Sequence, residues 1–148
     1  MPKDQQQSLR EHVLYLLRGG GAHLDFDAAV ADLSPELRGA KPLNIPHTAW
    51  RLLEHMRLAQ WDILDFCVNP NYQEMTFPDD YWPKADAPAT DEEWKRSIEQ
   101  FRLDLDKLER LVSSPKTDLW PKSPGATDRH TCVRHFWWPI IMLTTLAN

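Results

Sequence analysis

One stretch limits the folds open to this chain more than any other: residues 46–67, PHTAWRLLEHMRLAQWDILDFC. Leu52, Met56, Ala59, Ile63 and Phe66 recur there at steps of three and four. That spacing places them on one face of an α-helix. Leu53 and Leu64 widen the stripe on one side, while His55 and Asp62 share its other edge. A histidine turned inward at that edge needs a partner: a hydrogen-bond acceptor, a carboxylate or a metal ion. Pro42 and Pro46 set the entry to this helix, Thr48 is its expected N-cap, and Asn69-Pro70-Asn71 is a turn signal at its end.

A helix with one apolar stripe must bury it against other elements. Residues 5–18 read as a first helix, with Leu9, Val13, Leu16 and Leu17 as its stripe and Arg10, Glu11 and Arg18 on the opposite side. Gly19, Gly20 and Gly21 stop it. These glycines lack the preceding strand and the following Gly-Lys-Ser/Thr of a phosphate loop. Within 22–45, AHLDFDAAVADL has room for a short helix, and Ser34-Pro35 reads as an N-cap with proline at the first helical position. Asp25 and Asp27 are read as turn and cap residues, because the glycine and closing glutamate of a calcium loop are missing. The clearest start signal is Thr90 with Glu93, a capping box, after which Trp94, Ile98, Phe101, Leu105, Leu108 and Val112 form a regular stripe. The expected long helices are therefore 5–18, 48–67 and 91–113.

Between the second and third lies 70–90, with four prolines and the rings of Tyr72, Phe77, Tyr81 and Trp82. It is too aromatic for a disordered linker. It is also long enough to run the length of a bundle, so that the helices it joins can be parallel. Loops of this length in small domains are often functional.

A chain of 148 residues with 42% hydrophobic and 26% charged residues suits one soluble domain, 1–148. The net charge of −5 gives no electrostatic case for a nucleic-acid partner. Cys67 and Cys132 form no paired motif, so a reducing, cytoplasmic setting is expected. Cys67 falls at a helix C-terminus, where the dipole disfavours a thiolate, and is read as structural. The opening MPKDQQQSLREH is too polar for a signal peptide, and the apolar run 136–143 is too short to span a bilayer. His12, His23 and His47 are read as surface or capping residues.

The last stretch, 118–148, does not match the rest. A helix could start near Arg129, but Pro139 interrupts it and FWWPIIML has no polar face. Only a weak fourth element, near 129–146, is expected.

The segments LREHVLYLLRGGGAHLDFDAAVADL, LLEHMRLAQWDIL, NPNYQE and PDDYWPK, with Trp50, Leu53 and His55 in a W-x-x-L-x-H pattern, resemble the DinB-like superfamily. The resemblance covers roughly residues 1–118. It implies an all-α four-helix bundle with an up-down-down-up path and a three-histidine site for a divalent metal, zinc or nickel. His55 matches the histidine on the second helix. The other two stand four apart on the family's last helix, in a D-H-x-x-x-H-x-G-Q segment. This chain has none: His130 and His135 are five apart, a poor spacing for one helical face.

The tail also reads in a shifted frame. If each triplet takes the last base of one codon and the first two of the next, Phe136-Trp137, Trp137-Trp138 and Trp138-Pro139 must give leucine, valine and alanine. The pairs that follow permit aspartate, histidine, asparagine, alanine, tyrosine, histidine, leucine, glycine and glutamate. The product, V-A-D-H-N-A-Y-H-L-G-E, restores a histidine pair at a spacing of four. The expectation is that residues from about 120 to 148 are the out-of-frame translation of a DinB-like fourth helix.

The resemblance implies a metal-dependent enzyme related to thiol S-transferases, acting on a thiol or other small molecule. His55 alone is an incomplete site, so this chain is expected to be inactive. Asp62 is expected to be a solvated carboxylate at the helix edge, with a role behind the metal ligand as the alternative. The competing function is a non-catalytic interaction or dimerisation protein.

Overall fold

The computed structural model describes residues 3–20, 24–117 and 119. Within them the regular structure is all helical, with no strand: α1 (Lys3–Leu17), α2 (Phe26–Ala31), α3 (Pro35–Arg38), α4 (Ala49–Val68) and α5 (Asp91–Ser113), plus a 3-10 turn at Asp79–Tyr81. No helix among the described residues is long and apolar enough to cross a membrane. The weak fourth element expected at 129–146, with His130, Cys132 and His135, lies outside the described residues, as does His23.

Local signals start the helices where the sequence places them. Thr48 Oγ1 accepts from Arg51 N at 3.2 Å, and Thr90 Oγ1 accepts from Glu93 N at 3.1 Å. Each satisfies one main-chain donor that the first helical turn leaves open. The Glu93 carboxylate reaches back to Ala89 N, one residue before the cap, which closes the box. Asp25 caps α2 through Ala28 N at 2.7 Å. Gly19, at φ +76°, takes the left-handed conformation that ends α1.

Contacts climb α4 and α5 together. Trp50 packs on Trp94, Glu54 meets Ser97, Gln60 meets Phe101, and Cys67 shares a cluster with Leu108 and Val112. The two helices are therefore parallel, which the long 70–90 connection permits. α1 runs the other way along α5: Arg10 meets Val112 near the C-terminal end of α5, while Arg18 pairs with Glu109 further up. The three long helices thus run up, down, down.

The core has two parts. At one end Val13, Ile63, Leu64, Cys67, Leu108, Val112 and Leu119 pack together. At the other, Trp50, Leu53, Trp94 and Ile98 pack beneath Phe26, Val30 and Leu33 of the α2 region. Each large apolar side chain buried this way contributes about 1.5–3 kcal/mol. Arg38 joins the second part by lying over the Trp94 ring, 4.8 Å from its centroid, while bonding Asp91 at 2.6 Å.

Two expectations about helix faces are corrected. Of the α4 stripe, only Ile63 is fully buried; Leu52, Met56, Ala59 and Phe66 are half-buried. The deepest side instead carries Trp50, Leu53, Leu64 and Cys67, because α5 packs there. Leu52 and Met56 border a cavity of about 630 Å³ that also touches Leu16, Phe26, Phe101 and Leu105. Arg10, expected on the solvent side of α1, is only 7% exposed. Its guanidinium donates to Val112 O at 2.5 Å and to Thr117 O. Those carbonyls lie in the last turn of α5 and in the turn beyond it, where acceptors are left over and the dipole favours a cation.

Candidate functional site around His55

His55 sits on α4, the helix that the apolar spacing predicts, and is 6% exposed. Its partner comes from the 70–90 loop. Nδ1 lies 2.8 Å from the main-chain oxygen of Tyr81. A carbonyl oxygen can only accept, so Nδ1 carries the proton in this contact. In the neutral ring, Nε2 then holds the lone pair, the form in which an imidazole binds a metal ion.

The loop is fastened to α4 at further points. Asp62, two turns along from His55, is 5% exposed and receives two phenols: Tyr72 on Oδ1 at 2.9 Å and Tyr81 on Oδ2 at 2.7 Å. The expectation of a solvated Asp62 is thus corrected. The helix edge on which it lies is covered by the loop, and the two hydroxyls take the place of water. Burial, followed by the bond to Asp62 and its charge, pushes both phenols well above the usual tyrosine range. Tyr81 therefore touches both polar residues of the edge, Asp62 with its side chain and His55 with its backbone.

Trp82 follows directly. Its ring stacks on His55 with centroids 3.9 Å apart and planes 2° from parallel, and on His47 at 4.1 Å and 21°. Two rings so close and so nearly parallel to the indole cannot share one face, so Trp82 lies between the two histidines. Arg51 approaches the same indole, 5.6 Å from the centroid, and pairs with Asp86 at 3.4 Å. His47, read from sequence as a surface or capping residue, is corrected to a half-buried stacking residue. Its Nδ1 is buried without a hydrogen-bond partner. Burial, then the charges of Arg51, His55 and Lys41, lower its proton affinity. His12 is exposed, as expected.

The remaining candidates fall elsewhere. Cys67 is buried in the core, consistent with a structural role. Asp27 is exposed and paired with Arg102. A second polar cluster, which the apolar spacing does not reveal, lies between α4 and α5. Glu54 holds Arg57 in a two-pronged pair, 2.8 Å at each oxygen, and accepts from Ser97 Oγ at 2.6 Å. Burial pushes the Glu54 carboxyl up, but the bonds from Arg57 and Ser97 outweigh it and hold it below the usual range. Its only signal in the sequence is the polarity of Glu54 and Ser97 at positions flanking apolar stripes.

Among the described residues, no group of three histidine, cysteine, aspartate or glutamate side chains is placed to hold a metal ion. His55 therefore offers one donor there, and Asp62 is occupied by tyrosines. Scanned against known protein families, curated proteins and solved structures, the chain matches none.

Proposed function

We propose that this chain is a DinB-like helical bundle, related to metal-dependent thiol S-transferases, in which His55 is one ligand of a divalent-metal site that the described residues do not complete. The observation that carries this reading is the bond from His55 Nδ1 to Tyr81 O, which leaves Nε2 bare in the neutral ring. The all-helical architecture and the up, down, down path of the long helices agree with it. One imidazole is a weak site. Lewis-acid chemistry, or activation of a thiol as thiolate, needs further ligands as well as an open position on the ion. The chain as it stands is accordingly proposed to bind zinc or nickel weakly through His55 and to lack transferase activity.

The test is a zinc or nickel titration of the full chain followed by dialysis, with His55→Ala alongside. Weak, dialysable binding that perturbs the His55 ring and disappears in His55→Ala supports the proposal. Metal held at one ion per chain after dialysis, or binding that His55→Ala leaves unchanged, overturns it.

A further inference from the structure

We propose that Asp62 and Tyr81 are positioning residues for His55: Asp62 acts through Tyr81 to keep the imidazole proton on Nδ1 and so keep Nε2 bare. As a statement about metal binding this rests on the reading of His55 as a ligand; as a statement about the ring it does not.

His55 and Asp62 are seven residues apart on α4, which is about 10 Å along the axis. Tyr81 spans that distance. Its hydroxyl is 2.7 Å from Asp62 Oδ2 and its carbonyl oxygen is 2.8 Å from His55 Nδ1. Both contacts belong to one residue at the end of a 3-10 turn, so the bond of the phenol to Asp62 helps hold the carbonyl in place against His55. Tyr72 takes the other carboxylate oxygen, Oδ1, at 2.9 Å, so its bond is separate from the one that Tyr81 makes on Oδ2. Trp82, next in the chain, lies flat on the imidazole and sets the plane in which Nδ1 meets the carbonyl. A histidine's tautomer is decided by the bond made at its other nitrogen, and here that bond is held from seven residues away.

The experiment is nitrogen-15 NMR of the metal-free full chain, which reads the His55 tautomer directly. In the wild type, at a pH where the ring is neutral, the expected signal is a single tautomer protonated at Nδ1. Tyr81→Phe removes one oxygen atom, and the form protonated at Nε2 should then rise several-fold. Asp62→Asn should move the tautomer in the same direction. Tyr72→Phe is the control. It takes a hydroxyl from the same buried carboxylate, so a merely structural role would affect it equally; here it should leave the tautomer in place. A wild-type ring protonated at Nε2 overturns the proposal, as does an equal response, or none, in Tyr81→Phe and Tyr72→Phe. If the tautomer responds as expected while zinc and nickel leave His55 untouched, the positioning role stands and the ligand reading fails.

Discussion

The Nδ1–H of His55 ends on the main-chain oxygen of Tyr81, 2.8 Å away and 26 residues on in the chain. This bond makes the 70–90 loop part of the helix it covers. The phenol of the same tyrosine returns to Asp62, Tyr72 joins it there, and Thr48 Oγ1 donates to Asp86 O at 2.6 Å near the start of α4. The loop is thereby tied along much of α4, and polar groups that would otherwise be stranded at the covered edge find partners.

Asp62 should be the most sensitive of these points. Asp62→Ala strands two half-buried phenols and removes two bonds to an ionised acceptor, and should lower stability by about 3 kcal/mol. Urea denaturation followed by tryptophan fluorescence measures this. The two phenols also predict an alkaline limit. Their proton affinities are raised in the folded chain, so the stability they add is complete below pH 10.0, their ordinary value, and is lost as pH rises from there toward the folded values. An ultraviolet titration should show Tyr72 and Tyr81 ionising above the ordinary tyrosine range, and Asp62→Ala should bring them forward.

His47 predicts an acid limit. Its proton affinity is lowered on folding, so the unfolded chain takes the proton more readily than the folded one. The stability it adds is present above pH 6.5, its ordinary value, and is lost as pH falls below that. His47→Phe keeps a ring against Trp82 and removes the titration. Urea midpoints taken on both sides of pH 6.5 should differ less in this variant than in the wild type.

Arg10 should behave as a buried clasp. Arg10→Met leaves Val112 O and Thr117 O without their donor and should cost about 3 kcal/mol. Arg10→Lys should recover only part of this, because one ammonium cannot reproduce the two-armed geometry of a guanidinium. Thermal and chemical denaturation of the two variants separates loss of charge from loss of shape.

Ser97 should matter through Glu54. Ser97→Ala removes the 2.6 Å bond to Glu54 Oε1 inside the α4–α5 contact and should cost about 1–2 kcal/mol. The carboxyl of Glu54 should then take up its proton at a higher pH, since one of the bonds holding it down is gone. Carbon-13 NMR of the glutamate carboxyl reads that shift.

The coding DNA across residues 118–148 should show one or two bases gained or lost relative to the frame that gives V-A-D-H-N-A-Y-H-L-G-E. Sequencing it in close relatives decides the point: an intact frame shared among them would end the frameshift reading.

Helix starts were legible because their causes are local. Thr90 meets its partner three residues away, and so does Thr48. The inward turn of His55 was legible too, because helical spacing alone puts it at the edge of an apolar stripe. Its partner was not. Tyr81 was visible only as one ring in an aromatic loop, and nothing in the local pattern says which atom of it faces α4. His47 and Arg10 were misread for the same reason. Arg10 pairs with a carbonyl 102 residues on, which no local pattern can indicate.

From sequence alone, this chain's three long helices follow with their caps, and so does the placing of His55 and Asp62 on one helix edge. These depend on interactions within a few residues, which the order of side chains specifies directly. Only the tertiary structure decided that α5 packs on Trp50, Leu53 and Leu64 of α4, and that a loop closes over Asp62 and stacks Trp82 between His47 and His55. Burial depends on which distant surfaces meet, and the water that leaves a carboxylate or an imidazole is replaced by groups that the neighbouring sequence does not name.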